Sequence, residues 1–175
     1  GLDLNRDYIK LEAPETVAMI RFCNEWDPAL IADMHTTNGS LHRYTLTYQG
    51  PKHPAGGEAL LEYVRDQVLP RVDAMFEAGT GYDSFVYGNF TSDHQRWVTY
   101  PAEPNYGAPY RGIRNRIGVL VEAYAYAPYR DRVLSTLGYC RSLLRYAAEH
   151  RSALRRPVAA ADARTTAAGK APFSA

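Results

Sequence analysis

An excess of charge of either sign is what this sequence most clearly lacks. Its 175 residues carry 20 Lys and Arg against 19 Asp and Glu, a net charge of +1. Such a balance provides no strongly basic surface, which argues against a nucleic-acid partner or a polybasic membrane contact. No apolar run reaches the length of about 18 residues that a membrane-spanning helix needs. Cysteine is scarce, with Cys23 and Cys140 the only two. Both fall in apolar helical patterns, where a free thiol packs as a small hydrophobe, and spacing alone does not decide whether they pair. No leader pattern of a charged segment followed by an apolar stretch opens the chain. The opening Gly1-Leu2-Asp3-Leu4-Asn5-Arg6 reads as sequence from within a domain, so the missing leader says nothing of the compartment. Internal repeats are also absent.

What is present suits one domain with a proper core, since 46% of the residues are hydrophobic. Pro14 suits the first turn of a helix, continued by Met19, Phe22, Cys23 and Trp26 at helical spacing and stopped by Asp27-Pro28. Ala29 to His35 reads as a buried strand and Tyr44 to Tyr48 as a second. A loop over 49–57 leads into a long amphipathic helix marked by Leu61, Val64, Val68, Val72 and Met75, kinked at Pro70 and closed by Gly79-Thr80-Gly81. Phe85 to Gly88 and Arg96 to Tyr100 are weaker strands, and Pro101 to Gly112 is a loop rich in Pro, Gly and Tyr. Ile117 to Glu122 is another buried strand. Val133, Leu137, Cys140, Leu144 and Ala147 mark a final helix, and an Ala- and Arg-rich tail, loosely packed or leading onward, follows from about Arg151. Alternating apolar strands and amphipathic helices imply an α/β fold with a largely buried sheet. The 14 tyrosines, many between Tyr82 and Tyr129, suit a polar-rimmed cleft or plain surface packing.

Two of the buried strands end in ionisable residues, Asp33-Met34-His35 and Glu122. Open α/β sheets bind ligands beyond the carboxyl ends of their strands, so His35 and Glu122 are expected to face one crevice. On pattern alone a lone histidine after a strand is more often a capping or loop residue, and a lone glutamate is more often solvated or salt-bridged.

Three segments, taken in order, sharpen this. Gly1-Leu2-Asp3-Leu4-Asn5-Arg6-Asp7-Tyr8 resembles the Asp-x-Asn-Arg segment of the zinc metallocarboxypeptidases. Asp33-Met34-His35-Thr36-Thr37-Asn38-Gly39 is similar to the segment carrying that family's third zinc ligand. Tyr110-Arg111-Gly112-Ile113-Arg114-Asn115-Arg116 with Ile117 to Glu122 resembles its closing strand and catalytic glutamate. The resemblance runs from Gly1 to about His150. It implies a three-layer sandwich with a mixed, largely buried sheet between helices, in which residues 1–150 are the C-terminal portion of the catalytic domain and 151–175 the tail. It also implies Zn2+ as cofactor and hydrolysis of a C-terminal peptide bond by zinc-activated water. His35 would ligate zinc as neutral imidazole, Asp33 would orient it or cap elsewhere, and Glu122 would be the general base. Asn5 and Arg6 would bind the substrate's free carboxylate, with a salt bridge from Arg6 to Asp3 or Asp7 as the structural alternative. Tyr110, ahead of its competitors Tyr100 and Tyr106, would close over substrate. Arg111, Arg114 and Arg116 would add to an anionic pocket or form salt bridges.

The chain departs from that family in two places. The family's His-x-x-Glu, which supplies the other two zinc ligands upstream, has no counterpart here: none of His35, His42, His53, His94 and His150 has a glutamate three residues on. One histidine does not hold a catalytic zinc, so the domain's N-terminal part is expected to be missing and the chain inactive alone. Asp7 stands where many members carry asparagine, a change that would weaken carboxylate binding, favour a basic substrate group or simply pair with Arg6. The substrate is expected to be a peptide or a small acyl amino acid with a free carboxylate. A related N-acyl amino acid deacylase and a non-catalytic peptide-binding relative are the alternatives, and export to the periplasm or exterior is the weakly favoured location.

Overall fold

The computed structural model describes residues 1–170. Pro14 opens helix α1 (Pro14–Trp26) where its missing N–H costs no helical bond. Asp27 closes α1 in the left-handed conformation, φ 44°, its N–H bonded to the Cys23 carbonyl. Strands β1 (Leu30–Thr36) and β2 (Leu46–Gln49) follow. The long helix is one path in three parts: α2 (Glu58–Tyr63), a π-helical turn (Val64–Val68) and α3 (Leu69–Thr80). Pro70 has no N–H for the carbonyl four residues back. The wider turn, in which the Leu69 N–H reaches the Val64 carbonyl, absorbs that misfit just before the proline.

Gly81, at φ 73°, ends α3. Next come β3 (Ser84–Val86) and a ribbon of β4 (Asn89–Phe90) and β5 (Trp97–Val98). The remaining elements are α4 (Gly107–Ile113), β6 (Ile117–Ala123), α5 (Tyr129–Glu149) and α6 (Arg151–Lys170). No helix among the described residues is long and apolar enough to cross a membrane.

The main sheet runs β1-β6-β2-β3. It is mixed: β1 is parallel to β6, β2 antiparallel to β6, and β3 parallel to β2. Every residue of β6 is buried. Its odd-numbered residues Ile117, Val119 and Val121 join Phe76, Tyr139, Leu143 and Tyr146 in the core. Its even-numbered residues face α4, where a Cβ on Gly118 would come within 2.8 Å of the Arg111 Cβ. Helices thus cover both faces of a mixed sheet, an arrangement compatible with a three-layer α/β fold.

Several expectations need correction. β1 is an edge strand of intermediate burial rather than a buried one. The loop expected over Pro101–Gly112 ends in α4, because packing on β6 outweighs the weak helix propensity of Gly107 and Pro109. On α1 and α5 the most apolar stripe is not the buried one. Met19, Phe22 and Trp26 are exposed while Thr16 and Ile20 are buried, and Val133, Leu137 and Leu144 are exposed while Ser135, Tyr139, Leu143 and Tyr146 are buried. Tyr139 and Tyr146 bring large rings to the core, with serines filling the gaps between them. Residues 151–170 are not a loose tail. Leu154, Val158 and Ala161 form a helical stripe buried against the core, and Asp162 receives Arg116 at 2.9 Å. Residues 171–175 of that expected tail lie outside the described residues.

Candidate functional site

His35 and Glu122 are register partners across the parallel β1–β6 pair, so their side chains leave the sheet on the same face. Both stand at carboxyl ends of their strands and line a cavity of about 520 Å³ with Asn5, Arg6, Tyr87, Tyr100 and Tyr106. The crevice expected from the two strand ends is therefore formed, and part of the Tyr82–Tyr129 cluster walls it.

His35 Nε2 lies 2.8 Å from Asp33 Oδ1, two residues back on the same face of β1. With Nε2 so engaged as the donor, Nδ1 is the nitrogen free to act as a ligand. The Asp33 carboxylate raises the His35 pKa above its usual range, against the opposing effect of burial. Glu122 is 7% exposed. Burial pushes its carboxyl up to about 7, the charge on His35 opposing and that on Asp33 adding to the rise. Thr47, fully buried on β2, is the register partner of Glu122 on its other side, and its hydroxyl has no hydrogen-bond partner among the described residues.

Asn5 and Arg6 lie in a single 3₁₀ turn, Leu4–Arg6, capped by the Asp3 carboxylate on the Asn5 N–H. Asn5 Oδ1 accepts the Gly107 N–H at 2.8 Å, which ties the turn to the start of α4. The Arg6 guanidinium sits 4.1 Å over the Tyr106 ring, donates to the Asn5 carbonyl at 2.7 Å and lies 3.9 Å from Asp3. It faces the cavity with no closer carboxylate among the described residues. Asp7 serves neither Arg6 nor the cavity. It is buried, and both its oxygens accept backbone N–H groups, from Glu12 and Ala13, at 2.9 Å. Those bonds hold its carboxyl below the usual range.

Tyr110 is not brought to this cavity. Its ring packs 5.5 Å from Tyr8 in a separate crevice beside Ile20 and Cys23. Its competitors Tyr106 and Tyr100 are the ones that line the cavity, together with Tyr87 and Asn89, which sequence reasoning did not single out. Tyr87 carries no local motif and arrives there because its N–H bonds the Tyr48 carbonyl at the end of β2. The three arginines also stand outside. Arg116 pairs with Asp27 and Asp162, Arg114 donates to the Asn24 side chain, and Arg111 is buried beside the rings of Tyr8 and Tyr110.

Among the described residues no group of three His, Cys, Asp or Glu is placed to hold a metal ion. His35 offers one correctly freed nitrogen, which is not enough for a catalytic zinc. The chain's own residues therefore do not fit that metal unaided. No family model, no curated protein and no solved structure matches the chain.

Proposed function

We propose that these residues are the C-terminal portion of a zinc carboxypeptidase-like catalytic domain, whose remaining metal donors lie outside residues 1–170. The observation that carries this reading is the buried Glu122, its carboxyl held near neutrality, beside His35 in a cavity that also holds Arg6. In this reading Arg6 receives the free carboxylate of a peptide, its planar fork matched to two oxygens, and the Tyr106 ring beneath it fixes its aim. Glu122 takes a proton from a water whose oxygen adds to the scissile carbonyl carbon. It then returns that proton to the leaving nitrogen as the C–N bond breaks, giving a shortened peptide and a free amino acid. A pKa near 7 suits a group that must accept and return a proton at neutral pH. His35 would offer its free ring nitrogen as one donor to the metal.

The test is an assay of the complete product of the gene encoding these residues, supplied with zinc. The substrates are a blocked dipeptide acid, its C-terminal amide and an acetylated single amino acid. The dipeptide acid should be cleaved and the amide spared, and Glu122→Gln should lower kcat by roughly 10²–10⁴. Faster cleavage of the acetylated amino acid would make the protein a deacylase. A loss below about tenfold in the Glu122 variant would remove that residue from the role.

A further inference from the structure

The three arginines that stand outside the cavity line a smaller pocket of about 160 Å³. It lies between the end of α1, the start of β1 and α4, and it shares no lining residue with the cavity. Ile31 of β1 lines it, and the register partner of Ile31 on β6 is Gly118. Because Gly118 has no side chain, the Arg111 stem lies directly on the sheet. Arg111 is thereby only 5% exposed. Its guanidinium meets no carboxylate within 4 Å among the described residues. The rings of Tyr8 and Tyr110 lie 5.3 and 5.9 Å from it, and ring faces attract a cation without neutralising it. The Tyr8 hydroxyl stays protonated, its pKa raised by burial and by the charge of Asp33. A charge buried in this way is strongly unfavourable until a counter-charge meets it.

The other two arginines differ from each other. Arg116 is spent: its Nε and Nη2 hold Asp27 at 2.8 and 2.6 Å, and its Nη1 holds Asp162 at 2.9 Å. Those bonds also engage Asp27, the carboxylate that lines the pocket. Arg114 donates to the Asn24 side-chain oxygen at 3.2 Å and has no carboxylate partner among the described residues. With its oxygen so engaged, Asn24 offers the pocket only its NH2 group. We infer that this pocket binds a tetrahedral oxyanion of the phosphate class, held by Arg111 and Arg114 with Asn24. A carboxylate has two oxygens, which a single guanidinium satisfies. Donors converging from α1 and α4 suit an anion with oxygens on more than one side. The volume agrees: at about 30 Å³ per water there is room for about five water-sized groups, the size of one phosphate. Free inorganic phosphate and the terminal group of a phosphomonoester present the same chemistry. The site is independent of the proposed hydrolase, whose substrate carboxylate goes to Arg6 in the larger cavity.

The experiment is calorimetric titration of the complete gene product with inorganic phosphate, with methyl phosphate and with acetate. Phosphate should bind at least about tenfold more tightly than acetate. Arg111→Met and Arg114→Gln should each weaken phosphate binding at least about tenfold, and Arg6→Met should leave it unchanged. Tighter binding of methyl phosphate through the same two arginines would make a phosphomonoester the ligand, and tighter binding of phosphate would make it the free anion. Failure of both to bind would overturn the inference, because a residue outside 1–170 would then meet the Arg111 charge. Acetate binding as tightly as phosphate would overturn the oxyanion class. Binding lost in Arg6→Met but kept in Arg111→Met would overturn the site by placing the anion in the larger cavity. Where Arg111→Met does not fold, Arg114→Gln decides, and an unchanged affinity in that variant defeats the inference.

Discussion

Asp33 Oδ1 and His35 Nε2 sit 2.8 Å apart on one strand, and this contact decides which imidazole nitrogen is free. It also links two titrations, because the Asp33 charge raises both His35 and Glu122. Asp33→Asn should therefore lower the pKa of His35, which loses its hydrogen-bonded carboxylate, toward its ordinary value. Nitrogen-detected NMR titration of the metal-free chain reads that shift directly. If His35 held its raised value in the variant, Asp33 would not be its partner in solution.

Glu122 gives a stability prediction with a definite sign. Its folded-state pKa of about 7 lies above the ordinary 4.5. Folding therefore favours the protonated form, and that contribution is complete below about pH 4.5 and lost as pH rises through about 7. Glu122→Gln removes the ionisable group. Denaturant unfolding of the metal-free chain should show the variant gaining on the parent as pH rises, by at most about 3 kcal/mol above pH 7, with the difference shrinking as pH falls. A constant difference across the range would mean that Glu122 titrates normally.

Arg6 and Asp7 are neighbours with separate jobs. Arg6→Met should raise KM of the complete product for a dipeptide acid while leaving the unfolding midpoint nearly unchanged. Asp7→Ala should do the opposite. It removes two acceptors from the turn that enters α1, so it lowers the melting temperature at neutral pH. Because the Asp7 pKa is depressed, its contribution is present above about pH 4 and lost as pH falls through the folded value, and the penalty should fade in acid. A KM effect from Asp7→Ala with no change in stability would return Asp7 to the substrate site.

Tyr106 and Tyr110 separate in the same assay. Tyr106→Ala removes the ring under Arg6 and should weaken substrate binding, whereas Tyr110→Phe keeps its packing against Tyr8 and should leave kcat and KM unchanged. A fall in kcat for Tyr110→Phe would show that this residue swings into the cavity during turnover.

Leu154 tests α6. At 4% exposure it belongs to the core, so Leu154→Ala should cost about 2–5 kcal/mol of unfolding free energy in a denaturant titration. A cost near zero would mean that α6 does not dock in solution.

Local chemistry wrote much of this into the sequence. Pro14 and Asp27-Pro28 set the ends of α1, Gly81 ends α3, and the unbroken apolar run Ile117 to Val121 announced a strand buried on both faces. Two ionisable residues at strand ends pointed to one crevice, because strand direction and period fix where such side chains emerge. What sequence periodicity did not decide was which helix stripe turns inward. The apolar stripes of α1 and α5 face solvent among the described residues, and β1 became an edge although its composition is that of a buried strand. Those outcomes depend on which surfaces meet, a long-range property that no local window contains. The same holds for the cavity wall: Tyr106 rather than Tyr110 faces Arg6 because α4 docks on β6 through Gly118, and only that packing orients the two rings.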